Sequence, residues 1–205
     1  MSRELARGSP GADHFGSTLA EIYTSAALQP IASVNRQFLR LLLQSERISN
    51  FSAISEILTS AHDVVPHLIE ACPFTLFDLR FRDGTAWRKL AQAMTNDSIP
   101  SAEPSAVVGL VNSATVLAWY AARRWPTEAG LLLGATDEVL MALQSVELTQ
   151  LQTVSARHAD WIRPRWTDKI SAWLELVSLA RNPRAIGDGS LRIRAMEHFL
   201  GDLVN

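Results

Sequence analysis

Two stretches of this chain share one pattern. The first has Arg80-Phe81, a few polar residues, then Ala86-Trp87-x-x-Leu90. The second has Arg165-Trp166, a few polar residues, then Ala172-Trp173-x-x-Leu176. A third match lies upstream, Val34-Asn35 against Val111-Asn112. All three fall in the same order. Asn35 to Arg80 is 45 positions and Asn112 to Arg165 is 53, so the second half carries about eight extra residues, around Gly134. Ordered recurrence of this kind marks a diverged tandem duplication. Its rival is coincidence between two amphipathic bundles.

The segments between the matches have helical periodicity, and strand signals are poor. Ile31, Val34, Phe38, Leu41 and Leu42 share one face, with Asn35, Arg36, Gln37, Arg40 and Gln44 opposite. Ser60 to Asp63 offers a cap before Val64, with Pro66 in the first turn, where proline is tolerated. Helix is expected over 83–94, 105–124, 127–133, 148–159 and 167–180, with breaks at 96–105 and "RNPRAIGDGS". Gly134 ends one helix, Thr136 caps the next, and Ser190 caps the last. The expected fold is all-α. Its divisions are a loose tail at 1–16, half one at 17–96, half two at 105–181 and a C-terminal helix at 182–205.

A length of 205 residues suffices for one sizeable core or two small domains. The net charge of −2 gives no global attraction to nucleic acid or acidic membranes. Cys72 is the sole cysteine, which excludes an intrachain disulfide; its apolar setting points to a buried small hydrophobe. The uncharged run 104–122 approaches the length of a membrane span, but its three-four apolar spacing and diluting Ser, Asn and Thr residues fit a buried soluble helix better. The N-terminus has no apolar signal region, so the expected location is the cytoplasm.

"TEAGLLLGATDEVLMAL", 127–143, has the form of a helix-turn-helix, with small Ala129 and a turn at Gly134. Its second helix offers Asp137, Glu138 and Gln144 but no cation, which suits a core hairpin better than a DNA reader. Positive charge collects later. Eight basic and four acidic residues between 157 and 194 give +4, interleaved with Trp161 and Trp166. This patch is either a phosphate-tracking surface or a solvated helix face. No nucleophile elbow, zinc-protease, P-loop or dinucleotide motif is present, and His62, Asp63 and His67 do not make a metal site. No enzyme activity, cofactor or metal is expected.

Residues 131–166, "LLLGATDEVLMALQSVELTQLQTVSARHADWIRPRW", resemble the core of the FlhD family of bacterial flagellar regulators. "VNRQFLRLLLQ" is similar to that family's opening helix, and 60–83 to its closing segment. The resemblance covers most of 30–180, in two FlhD-like halves. It implies an all-helical pseudo-dimer, two protomers joined in one monomeric chain. It further implies a zinc-binding FlhC-like partner, through which promoter DNA and RNA polymerase are reached. The chain departs from the family at Phe77 and Ile162, where an inter-protomer cysteine is usual, and half one lacks the Leu-Gly turn. The first expectation is therefore a transcriptional regulator that binds DNA weakly or with a partner. Its candidate phosphate contacts are Arg163, Arg165, Lys169, Arg181 and Arg184, with Arg88 and Lys89 in half one. The alternative is a protein-interaction adaptor without DNA binding, docking a partner around Trp119, Trp125 and Trp161.

Overall fold

The computed structural model describes residues 28–44, 51–93 and 105–204. The expected tail at 1–16 and most of the break at 96–105 lie outside them. The described elements are α1 (Leu28–Gln44), α2 (Ser52–Thr59), α3 (Val65–Ala71), β1 (Phe77–Asp78) and α4 (Gly84–Ala93). There follow α5 (Ala106–Arg124), α6 (Pro126–Leu133), α7 (Asp137–Ser145), α8 (Leu151–Arg157) and β2 (Arg163–Pro164). The chain ends with α9 (Ile170–Ala180), α10 (Pro183–Gly187) and α11 (Ser190–Val204). The fold is all-α, with one two-residue ladder among the described residues. No described helix is long and apolar enough to cross a membrane.

Local chemistry sets most of the helix ends. Ser105 accepts from Val108 N at 3.1 Å and opens α5, and Thr136 accepts from Val139 N at 3.4 Å and opens α7. Gly134 closes α6 at φ +66°, a left-handed conformation natural to glycine. Several ends differ from expectation. Asp83 caps α4 from outside, accepting from Ala86 N at 2.9 Å. No side chain caps α3, and a 3₁₀ turn at His62–Val64 leads into it. The 148–159 helix divides into a 3₁₀ turn at Leu148–Gln150, α8, and a second turn at Ala159–Trp161. Residues 167–169 precede α9. The break after 181 holds the short α10, and Asp188 rather than Ser190 supplies the polar side chain at the start of α11, accepting from Ser190 N at 2.9 Å.

The recurrence has a definite spacing. The turns at His62–Val64 and Leu148–Gln150, and helices α3 and α8, match end to end 86 residues apart, as do β1 and β2. So do hydrogen bonds. Cys72 N donates to Leu68 O at 3.1 Å and His158 N to Val154 O at 2.8 Å. Trp87 Nε1 donates to Leu79 O at 3.1 Å and Trp173 Nε1 to Arg165 O at 2.8 Å. Arg80 and Trp166 both take the left-handed region, at φ +53° and +55°, unusual for side-chain-bearing residues. Arg80 therefore answers Trp166, not Arg165; the sequence match was one residue out of register. Asn35 and Asn112 stand 77 apart, so nine extra residues precede α7, where α6 lies.

Packing follows the same exchange. The α1–α2 and α1–α3 contacts have counterparts in α5–α7 and α5–α8. Across the halves, α4 packs on α7 and α9 on α2, while α1 lies against α5. In the antiparallel ladder Phe77 faces Pro164 and Asp78 faces Arg163, pairs that interchange under the 86-residue shift. One continuous core, from Ile31 to Phe199, unites both halves.

The exchange is imperfect at the asparagines. Asn35 is buried, donating to Phe74 O at 2.8 Å and accepting from Leu76 N at 2.9 Å. Asn112 has a buried Oδ1 with no hydrogen-bond partner among the described residues.

Candidate functional site

The expected phosphate contacts do not all reach the surface. Arg165 is 4% exposed. Its Nε donates to Thr75 O at 2.6 Å and its Nη2 to Thr75 Oγ1 at 3.1 Å and to Leu133 O. Nη1 lies 3.6 Å from Asp202 Oδ2, and the guanidinium sits 4.8 Å from the Phe199 ring centre. Burial lowers its pKa to about 10, against the opposing pull of Asp78 and Asp202; it remains a cation at neutral pH. Arg165 is an internal clamp, which corrects its assignment as a DNA contact. The cause is the ladder, which turns it inward beneath α11.

Most of the other arginines are engaged within the chain. Arg163 stays exposed but forks onto Asp78 Oδ2, at 3.0 Å from Nε and 2.9 Å from Nη2. Arg88 pairs with Glu138 at 3.0 Å. Arg181 donates to Ser60 O at 2.6 Å. Lys89, Lys169 and Arg184 are exposed, on α4, before α9 and on α10 respectively.

Of the three tryptophans expected to dock a partner, Trp161 is withdrawn from the surface. Trp161 is 7% exposed, tilted against His158 at 4.3 Å and edge-on to Trp87 at 5.5 Å. Trp119 donates from Nε1 to Val146 O at 2.8 Å beneath the Arg123 guanidinium, and Trp125 packs edge-on to Tyr120 at 5.3 Å. Trp119 and Trp125 are half-buried, and Tyr120 beside Trp125 is exposed. The hairpin α6–α7 has the expected form, and α7 buries Val139, Leu140, Ala142 and Leu143. Buried against α4 and α5, that face is a core element.

A different concavity gathers charge. Between α4 and α8 lies a groove of about 490 Å³, lined among others by Arg80, Lys89, Leu90, Arg157, His158 and Trp161. Arg80 lies over the Trp161 ring at 5.3 Å and 3.8 Å from Asp83. His158 has a lowered pKa, chiefly from burial, with Asp160 opposing and Arg157 and Arg80 reinforcing. Sequence reasoning selected Lys89 and Trp161 but not Arg80, Arg157 or His158. The signal that unites them is the spacing of 86, which sets these residues against those of a second groove.

Cys72 is buried, and its thiol is pushed up to about 12 by burial despite Arg192 nearby. That state is unreactive at neutral pH. Among the described residues no group of three or more His, Cys, Asp or Glu side chains is arranged to hold a metal. Comparison with protein-family models, with curated proteins and with solved structures finds no match to this chain.

Proposed function

We propose that this chain is a protein-interaction adaptor, built on an FlhD-like scaffold whose two units have been joined in one chain, and that it does not grip DNA alone. The observation that carries this is the internal engagement of the expected DNA contacts. Arg165 is buried on Thr75 and Leu133, and Arg163 and Arg88 are ion-paired. A cation already paired neutralises little of a phosphate backbone. The 86-residue spacing and the exchanging ladder support the joined scaffold. Lys89 on α4, Lys169 before α9 and Arg184 on α10 come from separate parts of the chain, which suits scattered surface charge rather than a stripe tracking a duplex.

Fluorescence anisotropy with a labelled mixed-sequence duplex, titrated with salt, tests the proposal. No binding at low salt is expected. Binding that falls steeply with salt would restore the direct regulator, with Lys169 and Arg184 the first residues to replace.

A further inference from the structure

The groove between α4 and α8 has a counterpart, and the counterpart is filled. Moved by 86 residues, its walls become α9 and α3, and α11 lies against both of them. There Glu175 holds two side chains of α11, Arg194 at 2.9 Å and His198 at 3.0 Å. His198 also rests beside the Trp166 ring, 5.9 Å between centres.

The α4–α8 groove keeps part of the apolar floor of the filled one, although Phe74, which stacks on Phe199 of α11 at 4.2 Å, is answered by the exposed Asp160. Leu90 is buried as Leu176 is, and Ala86 corresponds to Ala172. Its charge is inverted. Lys89 stands where Glu175 stands, and Arg80 where Trp166 stands. Arg157 replaces Ala71 and His158 replaces Cys72. Asp83, which also lines the groove, is the exception, standing where Lys169 stands and within 3.8 Å of Arg80. The two changes that correspond to the anchors of Arg194 and His198 are Lys89 and Arg80, and both favour an anion.

We propose that the α4–α8 groove docks an amphipathic helix of a partner protein, one that carries carboxylates four residues apart where α11 carries Arg194 and His198. The molecule shows this mode of binding within itself: a helix laid in a groove, apolar side down and charges matched at the rim. The cations converge on an apolar floor rather than running along a surface, which suits a helix better than a phosphate backbone. The inference deepens the adaptor reading and rests on it in taking the partner to be a protein.

The probe is a synthetic peptide of α11, residues 190–204, carrying R194E and H198E, titrated into the ¹⁵N-labelled full chain. Amide signals of α4 and α8 and the Trp161 indole are expected to shift. K89E, on an exposed side chain, is expected to weaken this peptide about tenfold, as rim charges turn from attraction to repulsion. K89E is also expected to bind the unaltered α11 peptide more tightly than the parent chain does, because the carboxylate introduced on α4 then faces Arg194 and His198. Circular dichroism of K89E unchanged from the parent keeps the comparison sound. Shifts mapping elsewhere, no shift up to about millimolar peptide, or affinity indifferent to K89E overturns the groove proposal. With no duplex binding in the anisotropy titration, such a result leaves the adaptor reading standing. A duplex that shifts the same signals and competes with the peptide overturns both, assigning the groove to nucleic acid.

Discussion

Arg165 and Arg163 are two residues apart and have opposite fates. Arg163 stays at the surface on Asp78, while Arg165 enters the interior and ties Thr75, Leu133 and Asp202 to the ladder. Nothing in "RPRW" distinguishes them, because the groups that bury Arg165 come from distant parts of the chain. Asp202 and Phe199 arrive on α11, and Leu133 on α6. A buried cation with matched acceptors is costly to interrupt. Arg165→Ala leaves the Thr75 and Leu133 carbonyls without their donor and Asp202 without its partner. The expected loss is about 3–5 kcal/mol of unfolding free energy, the usual range for breaking a buried pair, measured as a lower urea midpoint at unchanged slope. A loss within about 0.5 kcal/mol, typical of surface substitutions, would return Arg165 to the surface.

Elements were legible where their signals are local. The α6–α7 hairpin is written in Gly134 and Thr136, and both act as their residue types imply. The ladder was not legible, since two residues of strand carry no alternation and Phe77 and Pro164, which it pairs, are far apart in the chain. The short α10 was hidden by the Gly, Pro and Asn residues around it. The α4–α7 crossing depends on a residue whose role appears only in three dimensions. A Cβ on Gly84 would fall 2.6 Å from Glu138 Cβ, a contact that a flexible side-chain tip cannot relieve. Gly84→Ala gains little helix propensity at the first position of α4, and the crossing must widen. The expected cost is about 1–3 kcal/mol, the range for overpacking, read from thermal or urea unfolding. An unchanged or raised midpoint would show that α4 does not approach α7 so closely.

At the scale of the whole molecule one sequence match slipped in register, Arg80 against Arg165, while Ala86-Trp87 and Leu90 recur at the structural spacing as Ala172-Trp173 and Leu176. Short motifs tolerate a one-residue slip, whereas the positive φ of Arg80 and Trp166 and the matched indole hydrogen bonds do not. The candidate site suffered more than the fold, because which cations are engaged inside depends on tertiary contacts invisible to charge counting. The arrangement also bears on assembly. α4 of one half covers α7 of the other, α9 covers α2, and β1 pairs with β2, all within one chain. A single unit would need a second copy to cover those faces. Here the linked halves meet at an effective concentration of about millimolar or more, so a second chain competes poorly for the same seam. The chain is therefore expected to be monomeric at micromolar concentration, with a light-scattering mass near 22.6 kDa. A stable mass of twice that value, independent of dilution, would mean that the seam opens to exchange halves between chains or that another face associates.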